Sequence, residues 1–333
     1  MRAALAAQPA FASGNVAGRE ALLAEARSAE GVAMLAAERA YMDLADTDDV
    51  APSTGLRTSE HEVVSLPDAN TIRLYVTRPD TREALACVYY IHGGGMATLS
   101  CTYGTFRAFA RLVAAQGVCV VMVDFRNCVA ASSVPEVAPY PAGLNDCLSG
   151  LRWVHAHASE LGVDPTRVVV AGESGGGNLT FATAMALKRD GDLSLVAGLY
   201  ALCPFTLGQW PDERFPSSSE YADLLADVTG NRARVAYGLA AFNARDPLAW
   251  PGFATADDLV GLPPTVVSVN EFDPLRDEGV SLYRRLLAAG VDARGRVVLG
   301  TTHATELDPR VCPELSRDTA RDLAALARGA ARA

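Results

Sequence analysis

Short segments rich in β-branched residues alternate with helical patterns from about residue 59 onward. The strand-like segments are EHEVVSL, TIRLYVTRP, ALACVYYIH, GVCVVMVDF, RVVVAG, VAGLYALCP, PTVVSVNEF and RGRVVLG. The helical patterns between the later ones are FRAFARLVAAQG, AGLNDCLSGLRWVHAHASELG, GGNLTFATAMALKRDG and DEGVSLYRRLLAAG. Strands that alternate with helices predict βαβ units and a mostly parallel sheet. Because the earliest strands have no helix between them, we expect the sheet to begin antiparallel.

Two segments lie outside this alternation. The first fifty or so residues are rich in Ala, Glu, Arg and Leu, and the run GREALLAEARSAEGVAMLAAERAYMDLA predicts helix interrupted near Gly31. Residues 206–258 contain no clear strand and predict helices near 221–227 and 232–243. A long insertion inside a compact α/β domain is usually a functional lid or cap.

Charge and hydropathy exclude several classes of function. The 333-residue chain has a net charge of −10, which argues against a phosphate-binding nucleic-acid surface and against a polybasic membrane anchor. No apolar run approaches the ~20 residues that a membrane span needs. The N-terminal sequence MRAALAAQPAFASG is broken by Gln8 and Pro9, so we do not expect it to act as a signal peptide.

The cysteines indicate a reducing compartment. Their number is odd, their spacing is wide and no C-x-x-C pair occurs, so we expect reduced, buried thiols in a cytoplasmic protein and no metal site. The seven are Cys87, Cys101, Cys119, Cys128, Cys147, Cys203 and Cys312.

The segment VVVAGESGGGN places a serine among glycines directly after a buried strand. Gly172-Glu173-Ser174-Gly175-Gly176 fits G-x-S-x-G, with a strand before it and a helical pattern after it. This context predicts a sharp elbow that holds the Ser174 hydroxyl at the carboxyl end of the strand. The alternative is an ordinary strand-to-helix turn with a surface serine.

A serine nucleophile needs a base and an acid that orients the base. His303 is the only histidine that follows Ser174, and it lies in a loop just past a strand. The order Ser, acid, His therefore selects His303 as the base. Between them, Asp273 follows a strand on a loop and is our choice for the acid, with Asp277 as the alternative.

The segment IHGGGM, residues 91–96, follows the strand ALACVYY. Glycines at such a position let backbone N–H groups approach a developing oxyanion without side-chain clashes. The alternative is a plain glycine turn, but two glycine loops in the expected order favour a catalytic site.

Together these residues resemble the hormone-sensitive-lipase family of α/β-hydrolases from about residue 68 to 303. The matching motifs are HGGG, GESGGGN for the family's GDSAGGN, VDFRNC for VDYRLAPE, YPAGLNDCLSGLRWV for YPAALED…W, and DPLRDEG. The last motif supports Asp273 over Asp277. The resemblance implies the α/β-hydrolase fold, with a mostly parallel eight-stranded sheet flanked by helices and a helical cap.

The resemblance also implies roles for individual residues. The oxyanion donors would be the N–H groups of Gly94, Gly95 and Gly175, and His92 would brace their loop. Further residues belong to the two motifs without a direct role in the reaction: Gly93, Gly172 and Glu173.

The family's cap is built partly from N-terminal helices and partly from an insertion before the acid. This implies cap segments at 1–55 and 206–250, with the hydrolase core at 56–205 and 251–333. Apolar residues that could line the cap or the pocket, although they could equally be plain core, are Met34, Met42, Met96, Phe205, Trp210, Phe215, Tyr221 and Phe242.

The resulting hypothesis is a cytoplasmic serine carboxylesterase that cleaves short- to medium-chain esters through an acyl-enzyme, without cofactor or metal. The same residues would also suit an amidase, a lactonase or an acyltransferase. A non-catalytic small-ligand receptor of this fold is a further alternative, for which the resemblance implies a damaged triad. The resemblance also implies a homodimer through the last edge strand, near residues 295–299.

Overall fold

The computed structural model describes residues 14–224 and 230–329. Its sheet has eight strands in the order β1-β2-β4-β3-β5-β6-β7-β8. β1 pairs antiparallel with β2 and β2 with β4, whereas the other neighbours are parallel. The predicted antiparallel start and parallel remainder are confirmed. The strands are β1 (Leu56–Ser65), β2 (Asn70–Pro79), β3 (Leu85–Ile91), β4 (Cys119–Asp124), β5 (Val163–Glu173), β6 (Gly198–Leu202), β7 (Thr265–Phe272) and β8 (Ala293–Thr302).

Helices cover both faces of this sheet. Others form the N-terminal segment and the insertion between β6 and β7. The helices are α1 (Arg19–Arg27), α2 (Ala29–Asp43), α3 (Gly104–Ala114), α4 (Ala142–Ala156), α5 (Ala158–Leu161), α6 (Gly175–Asp190), α7 (Ser217–Glu220), α8 (Arg232–Tyr237), α9 (Leu239–Asn243), α10 (Ala256–Leu259), α11 (Arg276–Ala288) and α12 (Pro313–Gly329). α12, which packs beside α3, was not predicted from the sequence. No helix in the described ranges is long and apolar enough to cross a membrane.

The central strands are buried on both faces, which explains their continuous runs of apolar residues. In β3, Tyr89 belongs to the core cluster that contains residues of α4, α6 and α11. Its neighbour Tyr90 belongs to the opposite cluster, with residues of α3 and α12. This alternation follows from the two-residue period of a strand. The sheet therefore holds its loops between two packed helical layers.

The N-terminal helical run is interrupted at Ser28 rather than near Gly31. The Ser28 hydroxyl accepts a hydrogen bond from the Gly31 backbone N–H and so caps α2. A serine at this position satisfies a donor that the helix would otherwise leave unpaired. The interruption is therefore a helix cap, and the glycine lies inside the first turn of α2.

The N-terminal segment is attached at two places. Near its start, the Val16 backbone exchanges hydrogen bonds of 2.8 and 2.9 Å with the Asn231 side chain, and Glu25 pairs with Arg232. Near its end, Asp46 forms an ion pair with Arg111 of α3. The segment thus connects the insertion after β6 to the hydrolase core.

The insertion between β6 and β7 contains α7 to α10 and no strand in its described part. The helix expected at 221–227 is a single 3₁₀ turn at Ala222–Leu224, and residues 225–227 lie outside the described residues. The helix expected at 232–243 is divided into α8 and α9 at Gly238, whose φ of 152° interrupts a helix.

Candidate active site

Ser174 lies on a sharp turn between β5 and α6. Its φ and ψ are 54° and −117°, a conformation that a residue with a side chain adopts only under strain. The flanking glycines permit the turn. A Cβ on Gly172 would lie 2.5 Å from the backbone of Gly176, and one on Gly176 would overlap the carbonyl oxygen of Ile91. Backbone segments approach each other so closely here that positions 172 and 176 have no room for a side chain, which explains the glycines. Ser174 is half-buried at the carboxyl end of the sheet.

His303 and Asp273 are joined at the ends of the two neighbouring strands β8 and β7. The distance from His303 Nδ1 to Asp273 Oδ2 is 2.8 Å, and the Asp273 side chain is fully buried. The alternative acid, Asp277, instead accepts hydrogen bonds from the Ser217 backbone and from Arg276. The structure thus places Asp273, and not Asp277, against the candidate base.

Ser174 and His303 both contact the segment around Cys203, the residue that follows β6. The Ser174 N–H donates to the Leu202 carbonyl at 2.9 Å, and the Ser174 carbonyl accepts from Phe205 N–H at 3.0 Å. His303 Nε2 lies 3.9 Å from Cys203 Sγ. Among the described residues, no hydrogen bond joins His303 to the Ser174 hydroxyl. His303 Nε2 therefore lies against Cys203, which belongs to the segment that is hydrogen-bonded to the Ser174 backbone.

Burial and charge act in opposite directions on this histidine. Burial lowers the pKa of the His303 imidazole, whereas the Asp273 carboxylate and the Cys203 sulfur raise it, and the pKa lies well above its usual range. Burial raises the pKa of the Cys203 thiol to about 11 although His303 lowers it. A carboxylate behind the ring strengthens it as a proton acceptor, which suits a general base.

The glycine loop after β3 provides unpaired backbone donors beside Ser174. Gly94 and Gly95 have φ values of 89° and 63°. Within the described ranges, the N–H groups of Gly94, Gly95 and Gly175 donate to no protein acceptor. A Cβ on Gly175 would lie 2.6 Å from the Met96 nitrogen, so the loop and the α6 N-terminus are in close contact. Unpaired backbone donors of this kind, in loops that approach each other closely, are suited to an oxyanion.

Glu173 connects the two glycine loops. Its buried carboxylate accepts hydrogen bonds from the Gly93 N–H and, at 2.5 Å, from the Tyr90 hydroxyl. Burial raises the pKa of the Glu173 carboxyl to about 7, against these hydrogen bonds, which lower it. From the sequence, Glu173 was assigned only to the motif. Its clamp could not be read from the chain because Gly93 lies eighty residues away.

His92 braces the same loop from below. Its ring is fully buried and stacks on Phe125 at a centroid distance of 4.4 Å. Nδ1 lies 2.9 Å from the Gly93 carbonyl and Nε2 lies 3.3 Å from an oxygen of Asp124. Burial raises the pKa of Asp124, but hydrogen bonds from His92 and Ser133 outweigh it and lower the pKa to about 2. Both ring nitrogens of His92 thus contact protein groups, which fits a supporting role for this residue.

Four of the eight apolar candidates, Met96, Phe205, Trp210 and Phe242, were expected to line the substrate pocket, and they have different surroundings. Phe205 stacks on Trp210 with ring centroids 4.3 Å apart, and a Cβ on Gly95 would lie 3.9 Å from the Phe205 ring. Met96 is buried in the glycine loop, and Phe242 packs against Phe253 in the insertion. Only Met96 and Phe205 are therefore placed beside the candidate oxyanion donors by these contacts.

Two cavities lie elsewhere in the described molecule. One of about 290 Å³ is lined by Thr206, Glu278 and Arg285, among others, and one of about 800 Å³ lies between the N-terminal segment and the insertion, beside Tyr140 and Leu239. Neither lining includes the candidate nucleophile, base or acid. Burial raises the pKa of the Glu278 carboxyl to about 8, and Glu278 accepts from Thr206 N–H, so it supports the turn after β6.

Fold and site together define a hydrolase of the serine type. A family model described as the alpha/beta hydrolase fold matches residues 88–307. The chain belongs to this family and, within it, to the esterases that resemble hormone-sensitive lipase.

Relatives of this chain include named esterases. Carboxylesterase NlhH of Mycobacterium tuberculosis is 36% identical over 253 residues, which cover 75% of this chain and 76% of that protein. A solved structure of esterase Est22 is 52% identical, covers 96% of this chain and 93% of its own, and has a TM-score of 0.95. Brefeldin A esterase, described as a bacterial homologue of human hormone-sensitive lipase, is 36% identical, covers 97% of this chain and 89% of its own, and has a TM-score of 0.83.

Proposed function

We propose that this protein hydrolyses short- to medium-chain carboxylic esters through an acyl-enzyme formed on Ser174. The chain is a serine carboxylesterase by its family and its relatives. The observation that carries the assignment of residues is the His303–Asp273 contact of 2.8 Å beside the strained Ser174 turn.

The reaction follows from this arrangement. The Ser174 hydroxyl attacks the ester carbonyl while His303 Nε2 accepts its proton, and the imidazolium then protonates the departing alcohol. Asp273 holds Nδ1–H and so keeps the lone pair on Nε2 directed at the serine. The N–H groups of Gly94, Gly95 and Gly175 bind the oxyanion. Water, deprotonated by His303, then releases the carboxylic acid and restores the serine.

The His303–Asp273 pair and the unpaired backbone donors favour an enzyme over a binding protein of the same fold. A non-catalytic receptor has no need of a buried carboxylate behind a histidine at this turn. Amide or lactone cleavage and acyl transfer would use the same groups, so esters are favoured by the relatives named above rather than by geometry.

The cap proposal uses the contacts of the N-terminal segment. Residues 1–55 and 206–250 would cover the core formed by 56–205 and 251–333, with residues 1–13 and 225–229 outside the described residues. The hydrogen bonds between Val16 and Asn231 link the two segments, which supports the proposal that both contribute to one cap. Phe205 and Met96 would form the apolar wall nearest to Ser174, and Trp210 and Phe242 its outer part.

A homodimer through β8 and a cytoplasmic location complete the proposal. β8 ends the sheet and exposes Val297 and Leu299, apolar residues that pairing with a second copy would cover. All seven cysteines are free thiols, which supports a reducing compartment.

The test is hydrolysis of p-nitrophenyl esters from acetate to decanoate by the wild type, Ser174→Ala and Ser159→Ala. Ser159 is an exposed serine of α5 and serves as the matched control. We expect Ser174→Ala to lower kcat by ~10⁴-fold or more, and Ser159→Ala to leave it unchanged. Equal rates for wild type and Ser174→Ala would refute the assignment, and a rate that rises steadily with chain length to decanoate would refute the proposed acyl preference.

A further inference from the structure

Cys203 forms a cluster with the base and the acid that ester hydrolysis does not use. The Cys203 sulfur, one nitrogen of His303 and one carboxylate oxygen of Asp273 lie within 4.8 Å of one another. In the described ranges this is the one group of three such side chains with the spacing of metal ligands. Cys203 belongs to neither glycine motif, and its position after β6 was not assigned a role above.

We propose that Cys203 Sγ and His303 Nε2 form a binding site for a thiophilic divalent cation of the Zn²⁺ type, and that its occupation reversibly blocks ester hydrolysis. The blocking effect rests on the proposed role of His303, whereas the binding itself does not.

The distance between the two ligand atoms fits a shared ion. Zinc bonds of about 2.3 Å to sulfur and about 2.0 Å to nitrogen span the observed 3.9 Å at an S–Zn–N angle of about 130°. An ideal tetrahedral angle requires a separation of about 3.5 Å, so the two side chains need to approach by about 0.4 Å. Rotation of the Cys203 or His303 side chain is enough for this, and water can occupy the remaining positions.

Asp273 already supplies the partner that metal-binding histidines usually have. A histidine that binds a metal through one ring nitrogen commonly donates its other N–H to a carboxylate, which fixes the ring and makes the ligand more basic. His303 Nδ1 has this contact with Asp273 at 2.8 Å. The group that prepares the histidine to accept a proton therefore also prepares it to accept a cation.

The binding step is an exchange of protons for a metal ion. The Cys203 thiol and the His303 imidazolium release their protons to solvent, the sulfur bonds the ion as a thiolate, and His303 contributes the freed Nε2 lone pair. No electron is transferred, and removal of the ion by a chelator with reprotonation of both groups restores the starting state. Because the same lone pair must accept the Ser174 proton, the two uses of His303 exclude each other.

Inhibition by Zn²⁺ tests the consequence for activity. Initial rates of p-nitrophenyl acetate hydrolysis are measured against added Zn²⁺ for wild type, Cys203→Ala, Cys203→Ser and Cys312→Ala, each relative to its own rate without metal. Cys312 is a partly exposed thiol and the matched control. We expect wild type and Cys312→Ala to lose activity and to recover it with EDTA. The half-inhibitory concentration should rise at least about tenfold in Cys203→Ala, since loss of a ligand costs at least as much as loss of a supporting partner.

Binding of Co²⁺ to Ser174→Ala gives a readout that needs no activity. A thiolate bound to Co²⁺ absorbs in the near ultraviolet, so we expect this band in Ser174→Ala and its loss in Ser174→Ala/Cys203→Ala. If Cys203→Ala fails to fold, as judged by circular dichroism, Cys203→Ser replaces it in both measurements. Unchanged zinc sensitivity of the Cys203 variants, or absence of the Co²⁺ band from Ser174→Ala, would overturn the proposal. If the Co²⁺ band appears but Zn²⁺ does not inhibit ester hydrolysis, the proposed blocking effect would be overturned.

Discussion

From the buried carboxylate of Glu173 we predict how the stability of the protein depends on pH. Glu173→Gln replaces an acid by a neutral amide of the same shape. The amide carbonyl can accept from Gly93 N–H, and the amide NH₂ can donate to the Tyr90 hydroxyl oxygen. The clamp between the two glycine loops therefore remains, and the variant differs mainly in that it cannot ionise.

The raised pKa of Glu173 determines whether stability falls or rises with pH. The pKa of Glu173 rises from 4.5 to about 7 in the folded protein, so the folded state holds this proton more strongly than the unfolded state. The native protein therefore loses stability as pH rises above about 4.5, and the loss is complete above about 7. At about 1.4 kcal/mol for each pKa unit, the cost is about 1 kcal/mol at pH 5.5 and about 3 kcal/mol at pH 8.5.

The assay is urea unfolding followed by tryptophan fluorescence at about pH 5.5 and pH 8.5. Other ionisable groups contribute equally to wild type and Glu173→Gln, so they cancel in the difference between the two proteins. We expect the stability of Glu173→Gln relative to wild type to increase by about 2 kcal/mol between these pH values. Glu136→Gln, which removes an exposed carboxylate, is the matched control. A difference for Glu173→Gln that does not change with pH would refute the reasoning.

Two further substitutions test the site and the elbow. Asp273→Asn should lower kcat by ~10⁴-fold. Because the Asp273 carboxylate raises the pKa of His303, the variant should also shift the acidic limb of the kcat/KM profile to lower pH. Asp277→Asn is the control, and a shift to higher pH in Asp273→Asn would contradict the assignment. Gly176→Ala should lower the melting temperature strongly because the added Cβ would overlap backbone atoms. Gly329→Ala is the control, since a Cβ there meets no atom within 4 Å. Equal melting temperatures for the two variants would show that the elbow is not tightly packed.

The features predicted correctly depend on short stretches of chain. Each strand was recognised from its own β-branched residues, and the Ser174 elbow from five consecutive positions. The order Ser, acid, His also selected His303, which the structure places against Asp273, while its role as the base stays a prediction. Such inferences succeed because local backbone preference and chain order are written directly in the sequence.

Most of the features that were missed depend on contacts between distant segments. Cys203 and His303 are a hundred residues apart, and nothing in either neighbourhood indicates that their side chains meet. The same holds for Glu173 and Tyr90, and for the sheet order in which β4 lies between β2 and β3. The interruption at Ser28 was placed three residues late because glycine was given more weight than a helix-capping serine.

The two attachments of the N-terminal segment have a mechanical consequence. Val16 is hydrogen-bonded to the insertion and Asp46 is paired with α3, so the stretch between them acts as a tether of fixed length between the insertion and the core. In the proposed arrangement, deleting residues from this tether would shift the cap relative to the site, whereas residues before Val16 could be changed without that effect. Changes in the reach of this tether offer a route to a different substrate range with the reacting groups left untouched.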